Sequence, residues 1–303
     1  MSETPKGFIY DVGYRPYEGQ HLGRTQALLS LVWDDLKRGL GIKKSWKYKF
    51  VIFFLLIIEL GIFFTHLLMS QVTEVIGSGS DVPQALLNPY SGFYETWAFI
   101  LLFLSALVAP NLLCDDRRYR VYPLYLARPI HAYDYLLAKG GAIFGTLALV
   151  TIGPALLLFL GKTFLASDAL DYLSQHSGDL VSLLVSGVLI ALFYTSFSMG
   201  ISSLTTSRLY AAGAIIGIVK LSGFVAGLLT LVRQDSWVML GSIGDLVLRV
   251  KDSLFGTLSP IDIELEQTIH LEPLSAWVYL SATLAVIALS WLIVWLSYRR
   301  EVR

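Results

Sequence analysis

The chain has 303 residues, of which 55% are hydrophobic and 15% are charged, and its 23 basic residues balance its 23 acidic residues. Soluble domains carry about 25% charged residues, so this composition excludes an ordinary soluble protein and indicates a membrane protein. The basic residues flank apolar stretches, which gives no support to a nucleic-acid-binding role. The single cysteine, Cys114, excludes an intrachain disulfide framework.

Residues 1–49 are predicted to form a cytoplasmic N-terminal segment that contains an amphipathic interface helix. From Thr25 onward, apolar residues recur every three or four positions and charged residues occupy the other face. The apolar residues are Leu28, Leu29, Val32, Trp33, Leu36 and Leu40, and the charged residues are Asp34, Asp35, Lys37 and Arg38. We expect this helix to end at Gly39 and Gly41. It would lie in the inner membrane interface, bind a cytoplasmic partner, or do both.

Six long apolar stretches follow, each close to the roughly 20 residues that a helix needs to cross a hydrocarbon core about 30 Å thick. They cover residues 50–70, 97–113, 141–161, 180–203, 209–232 and 274–297. If the chain starts inside, 18 of its 23 lysines and arginines fall in the inside segments. This bias predicts that both termini are cytoplasmic. Residues 50–303 are therefore predicted to form an all-α membrane domain with six transmembrane helices.

Two charged residues lie near the middle of predicted spans, Glu59 in the first and Lys220 in the fifth. A lysine at the bilayer centre costs about 2.5–3.5 kcal/mol on insertion scales, so Lys220 should face protein or water. Their similar depth allows a Glu59–Lys220 ion pair, within one subunit or across a dimer interface. Such a pair would either line a polar path or hold the bundle together.

Glycines recur at a spacing of four in the third and fifth spans. The pairs are Gly141 with Gly145, Gly213 with Gly217, and Gly223 with Gly227. This spacing places the two glycines of a pair on one helix face, where another helix can approach closely. Ordinary packing within the chain is the simpler interpretation of all three pairs.

The longest predicted outer segment, residues 233–273, precedes the last span. Its first half carries an apolar stripe that charged residues interrupt. The stripe consists of Leu240, Ile243, Leu246, Val247, Val250 and Leu254, and the charged residues are Asp245, Arg249, Lys251 and Asp252. These charges predict a helix that lies on the outer surface or re-enters partway. The second half, around residues 262–266, fits either a short strand or a solvated loop.

The sequence lacks the motifs of the common self-contained catalysts. It contains no G-x-x-x-x-G-K-[ST] phosphate loop, no H-E-x-x-H pair and no G-x-S-x-G nucleophile elbow. We therefore expect that the chain is not an enzyme by itself and that it holds no metal or cofactor.

Residues 114–139, between the second and third spans, carry the most informative motif. Asp115, Asp116, Arg117 and Arg118 form a charged opening, Leu126-Ala127-Arg128-Pro129 forms a turn, and Tyr135-Leu136-Leu137-Ala138-Lys139 leads into the third span. In this motif and in its six-span layout, the chain resembles the permease subunits of ABC-2-type ATP-driven transporters. It departs from them at Tyr119-Arg120-Val121-Tyr122, where the family often has Gly-Thr.

The resemblance implies that residues 114–139 form a coupling segment that sits in a cleft of a separate nucleotide-binding subunit. Charged contacts would come from Asp115, Asp116, Arg117 and Arg118, and Tyr122, Tyr125 and Leu126 would fill a pocket. Arg128, Pro129 and Lys139 would complete the segment, although Arg128 and Lys139 suit lipid phosphates equally well. The alternative is an ordinary charged inner loop that obeys the positive-inside rule.

The same resemblance implies a permease dimer, with an identical or a related second subunit, in the plasma membrane. Two partner ATPase subunits would bind ATP and Mg²⁺ and drive the transporter, which we expect to be an exporter. One alternative is an ATPase-coupled membrane anchor that transmits force or signal without moving a solute. Another is a self-contained secondary carrier, which the few intramembrane charges disfavour. The sequence specifies no substrate.

Overall fold

The computed structural model of the chain describes residues 23–42, 45–76, 89–119, 121, 131–166, 168–258, 261–263 and 269–301. The helices in chain order are α1 (Arg24–Gly39), α2 (Trp46–Ile76), α3 (Pro89–Arg118), α4 (Ala132–Leu165), α5 (Ala169–Gln175), α6 (Ser177–Ser202), α7 (Arg208–Arg233), α8 (Ile243–Leu254) and α9 (Ala276–Glu301). A 3-10 helix covers Ser236–Gly241, and β1 (Ile261–Ile263) pairs antiparallel with β2 (Ile269–Leu271).

The prediction of an all-α protein with six transmembrane helices is confirmed. Helices α2, α3, α4, α6, α7 and α9 are long and apolar enough to cross a membrane. Their up-and-down path brings the starts of α2, α4 and α7 and the ends of α3, α6 and α9 to one end of the bundle. This end also carries α1 and is called the α1 end below. Helix α8 lies at the opposite end, called the α8 end.

Helix α3 forms the centre of the bundle. In its most apolar stretch 78% of the residues are buried, against 11% in α2, 22% in α7 and 17% in α9. Phe93, Tyr94, Trp97 and Leu101 of α3 are fully buried and anchor the main core. Helices α2, α7 and α9 therefore present most of their apolar surface outward, as helices that face lipid or another subunit do.

The amphipathic helix α1 packs its apolar face against the first turns of α4. A Cβ on Gly145 would lie 2.8 Å from Cδ1 of Leu36, and one on Gly39 would lie 2.7 Å from Oγ1 of Thr146. The absence of side chains at these two glycines therefore allows the two helices to approach closely. The predicted amphipathic helix is confirmed, and Trp33 on its outer face remains exposed.

The glycine pairs of the fifth span behave differently from the pair in α4. Around Gly213 and Gly217, no atom of another described helix lies within 4 Å of the position a Cβ would take. Gly223 faces the hydroxyl of Ser242 at 3.3 Å. Packing within the chain is thus the correct interpretation for Gly145 and Gly223, whereas Gly213, Gly217 and Gly227 have no such neighbour among the described residues. As far as the described residues go, the outward face of α7 at Gly213 and Gly217 is open to a close approach by another molecule.

The outer segment forms α8, whose 12 residues span about 18 Å and are too few to cross the bilayer. Leu246, Val247 and Val250 are buried, and α8 packs against α6, α7 and α9. This confirms a helix that does not span the membrane. The charges Lys251 and Asp252, which predicted an exposed helix, are nevertheless buried. Beyond α8, Asp262 and Ile263 lie in strand β1, and residues 264–266 are outside the described part of the chain.

Gly187 of α6 offers a direct test of packing in the core. A Cβ there would lie 2.8 Å from the Tyr94 hydroxyl, which itself donates a 2.8 Å hydrogen bond to the carbonyl of Leu183. We expect Gly187→Val to lower the free energy of unfolding by about 1–3 kcal/mol through overpacking. Thermal unfolding in detergent would measure the loss. Gly153→Val in α4 is the matched control, because no atom of another described helix lies within 4 Å of its Cβ position. Equal midpoints for the two variants would contradict the packing.

Candidate functional site

A buried ion cluster joins three helices at the α1 end. The Nζ atom of Lys139 in α4 lies 2.9 Å from Oδ2 of Asp35 in α1 and 2.7 Å from Oδ2 of Asp116 in α3. The hydroxyl of Tyr135 donates a 2.7 Å hydrogen bond to the same oxygen of Asp116. All four residues are buried. We refer to Asp35, Asp116, Tyr135 and Lys139 as the Lys139 cluster.

The Lys139 cluster contains two carboxylates and one ammonium group, and a nearby arginine supplies the second positive charge. Arg38 Nη1 lies 3.7 Å from Oδ1 of Asp35 and provides a second, more distant positive charge. Burial raises the pKa of the Asp35 carboxyl above its usual value, and the neighbouring Lys139 opposes that rise. A buried charge is tolerated only when a well-placed opposite charge compensates it. The cluster therefore holds α1, α3 and α4 together as long as each partner is present.

A second contact fixes the start of α1. The guanidinium of Arg24 donates to both carboxylate oxygens of Asp134 in the first turn of α4, with distances of 2.8 Å and 2.7 Å. Asp134 also accepts a 3.0 Å hydrogen bond from the backbone N–H of His131 and so caps α4. Paired Arg–carboxylate bonds of this kind fix orientation as well as distance. Helix α1 is thus attached to α4 near both of its ends.

The end of α3 is also tied to the turn between α6 and α7. Asp115 forms an ion pair with Arg208 at the start of α7, and Arg117 donates a hydrogen bond to the carbonyl of Ser203 just after α6. The guanidinium of Arg117 lies 5.8 Å from the centroid of the Tyr298 ring in α9. Through these contacts, a movement of the end of α3 would be transmitted to α6, α7 and α9.

These contacts bear on the predicted role of residues 114–139. Asp115, Asp116 and Arg117, which were expected to contact a partner, also contact residues of this chain, and their contact with a partner stays a prediction. Arg118, the last residue of α3, is exposed. Lys139 is fully buried, so the interpretation of this lysine as a lipid-phosphate contact is wrong. The other predicted residues lie outside the described part of the chain, namely Tyr122, Tyr125, Leu126, Arg128 and Pro129.

Glu59 and Lys220 do not form an ion pair within the described part of the chain. Glu59 of α2 is buried, and its carboxylate oxygens have no hydrogen-bond partner among the described residues. Lys220 of α7 is exposed, and its Nζ lies 5.0 Å from the centroid of the Phe99 ring. The pairing expected within one subunit is therefore wrong. A pair across a dimer interface stays a prediction.

The contacts at the α1 end fix the positions of several helices relative to one another. Ion pairs and hydrogen bonds connect the two ends of residues 114–139 to each other, to α1, to the start of α7 and to the residue after α6, with the Lys139 cluster as the buried centre. The residues that sequence reasoning missed are Arg24, Asp35 in its buried position, Ser203 and Arg208. No protein-family model matches this chain, and no curated protein matches it in sequence.

Proposed function

We propose that the chain is the permease subunit of an ATP-driven transporter, in which residues 114–139 receive the movement of a separate ATPase subunit. One observation carries the proposal: Lys139, at one end of this segment, lies 2.7 Å from Asp116 at its other end. Because its two described ends are held together, a push on this segment would be passed to α3 and α4 at the same time. Rigid movement of packed helices is a common way for a binding event at one surface to change a distant one.

The proposal divides the predicted coupling residues into two roles. Asp115, Asp116, Arg117 and Lys139 are positioning residues, because their partners lie within the chain. The exposed Arg118, with residues 122–129, would contact the ATPase subunit. The excess of basic residues near this end favours a cytoplasmic location for it. ATP and Mg²⁺ would bind to the partner, and this chain would carry no catalytic residue.

We place the second permease subunit against α2 and α7. Both helices expose most of their apolar stretch, and Gly213 and Gly217 leave the outward face of α7 open to close contact. Small residues at such a face let two membrane helices approach closely enough for favourable van der Waals contact. Glu59 of α2 would then find a partner in the other subunit. Export, as the direction of transport, follows from the resemblance to ABC-2-type permeases.

Affinity purification of the full chain in mild detergent tests the proposal. We expect a stoichiometric partner with a phosphate-loop motif, together with ATP hydrolysis that depends on this chain. Recovery of the chain alone, under conditions that preserve known transporter complexes, would contradict the proposal and favour a self-contained carrier.

Arg118 provides a sharper test of the contact surface. We expect Arg118→Glu to weaken recovery of the ATPase subunit about tenfold, since reversing an interfacial charge costs on the order of 1.4 kcal/mol or more. Thermal stability should not change, because the side chain is exposed. Arg299→Glu, at an exposed arginine near the same end of α9, is the matched control. A wild-type level of ATPase recovery with Arg118→Glu would remove Arg118 from the interface.

A further inference from the structure

A cleft of about 360 Å³ opens on the flank of the bundle between α3, α6, α7 and α8. The proposed coupling does not use it, and the glycines of the proposed dimer contact, Gly213 and Gly217, lie one to two turns nearer the α1 end of α7. Three charged side chains line the cleft, Glu95 of α3, Lys220 of α7 and Asp245 of α8. Sites for small ligands commonly have volumes of about 300–1,000 Å³ and place a few polar groups among apolar ones. The cleft has both properties.

The positive charge in this cleft is incompletely compensated. Lys220 lies at the middle of α7, and among the described residues its ammonium group contacts the Phe99 ring and forms no ion pair. A lysine at mid-membrane costs about 2.5–3.5 kcal/mol on insertion scales. A cation–π contact at an exposed site contributes about 0.5–1 kcal/mol. An anionic group of a ligand would supply the remaining stabilisation.

The two carboxylates of the cleft are also incompletely compensated. Glu95 is half exposed, and the Nζ atom of Lys251, which lies 3.7 Å from it, is held more closely by Asp252 at 2.7 Å. Asp245 accepts a hydrogen bond from the neutral hydroxyl of Ser242. Glu95 and Asp245 together therefore attract a positive group. Carboxylates accept hydrogen bonds, which favours a primary ammonium with its three N–H donors over a quaternary one.

The apolar part of the cleft lies on the outward surface of the bundle. Phe99 and Phe224 line it and are 54% and 65% exposed, respectively. These rings continue the outward surface of α3 and α7, where the hydrocarbon chains of a lipid would lie. A ligand that fits all three features carries an ammonium group, an anionic group and an apolar tail.

We propose that this cleft binds a phospholipid with a zwitterionic phosphoethanolamine headgroup. The ammonium pairs with Glu95 and Asp245, the phosphate pairs with Lys220, and an acyl chain lies along Phe99 and Phe224. This inference concerns binding alone, so it holds or fails independently of coupling to an ATPase, but it excludes a Glu59–Lys220 pair across the dimer interface. In a transporter, a site of this kind would serve for a lipid-like substrate.

A headgroup comparison with the full-length wild-type chain tests the proposal first. Lysophosphatidylethanolamine and lysophosphatidylglycerol with the same acyl chain are titrated against the purified protein, and binding is measured by calorimetry. We expect at least about tenfold tighter binding of the ethanolamine lipid, which corresponds to about 1.4 kcal/mol. Glycerophosphoethanolamine, which lacks the acyl chain, should bind at least about tenfold more weakly than the ethanolamine lipid. Equal binding of the two lipids would overturn the zwitterionic assignment, and equal binding of the chain-free headgroup would overturn the assignment to a lipid.

Variants then locate the site within the chain. Glu95→Gln with Asp245→Asn should abolish the preference for ethanolamine, whereas Lys220→Met should weaken both lipids to a similar degree. Glu272→Gln and Arg233→Met are matched controls at exposed positions outside the cleft and should bind like the wild type. An ethanolamine preference that survives the Glu95→Gln and Asp245→Asn exchange would place the lipid elsewhere and overturn the proposal.

Discussion

Lys139→Met should lower the free energy of unfolding by about 3–5 kcal/mol, because it leaves two buried carboxylates without their common cation. In the folded chain, Lys139 Nζ lies 2.9 Å from Asp35 and 2.7 Å from Asp116. Thermal unfolding in detergent measures the loss directly. Cys114 gives a second measurement in intact membranes, since it is the only cysteine and is buried two residues from Asp116. We expect a maleimide to label Cys114 faster in the variant.

A neutral version of the cluster separates lost charge from lost packing. Asp35→Asn, Asp116→Asn and Lys139→Met together remove all three charges, and a buried ion pair can often be replaced by neutral groups with little loss of stability. We therefore expect the triple variant to recover most of the stability that Lys139→Met loses. Lys49→Met, at an exposed lysine near the start of α2, is the control. Unchanged unfolding and Cys114 labelling in Lys139→Met would show that the ion pairs contribute nothing.

The spans could be predicted from the sequence because apolar length is a local property. A backbone in lipid must satisfy its own hydrogen bonds, so an apolar stretch of sufficient length becomes a helix whatever surrounds it. The predicted ends were less accurate. Helix α3 covers Pro89–Arg118, whereas its apolar stretch was placed at residues 97–113. The additional turns contain polar residues such as Ser91 and Asp116, whose partners lie on other helices and leave no local signal.

The sequence around Asp35 indicates that this residue is buried, but it does not identify the residue that pairs with it. Sequence analysis placed it on the polar face of α1, but it lies four residues before Gly39, three after Val32 and seven after Leu28. These positions share one face of a helix. A carboxylate within an apolar stripe is a sign of a buried partner, and this sign was present in the sequence. The identity of the partner was not, because Lys139 is more than a hundred residues away in the chain.

The wrong expectation for Glu59 and Lys220 has a geometric cause. Equal depth in the membrane fixes only one coordinate, and an ion pair also requires neighbouring helices that turn the two side chains toward each other. Helix α2 packs against α3 and α4, whereas α7 packs against α3, α6 and α8. Helices α2 and α7 therefore do not pack closely against each other, and the two charges do not meet within one subunit. Helix order around a bundle depends on packing between all the helices, which hydropathy does not encode.

Lys251→Met should also lower the free energy of unfolding by about 3–5 kcal/mol, at the opposite end of the bundle. Lys251 is fully buried, and its Nζ lies 2.7 Å from Asp252 and 3.0 Å from both the carbonyl and the hydroxyl oxygen of Ser91 in the first turn of α3. Without the ammonium group, the carboxylate of Asp252 remains buried, and among the described residues the neutral hydroxyl of Ser91 is left to donate to it. Thermal unfolding of Lys251→Met, with Arg233→Met as the exposed control, measures this effect.

The same variant reveals whether the two ends of the bundle open independently. Lys251 fastens α8 to α3, while Cys114 lies in the last turns of α3 at the other end and reports on the Lys139 cluster. Local unfolding usually involves contiguous units rather than the whole chain. We therefore expect Lys251→Met to release α8 without accelerating the labelling of Cys114 at a temperature below the midpoint. Accelerated labelling would contradict this expectation and would mean that local unfolding at one end of α3 is transmitted to its other end. A chain built in that way would connect the lipid cleft beside α8 to residues 114–139 through its central helix.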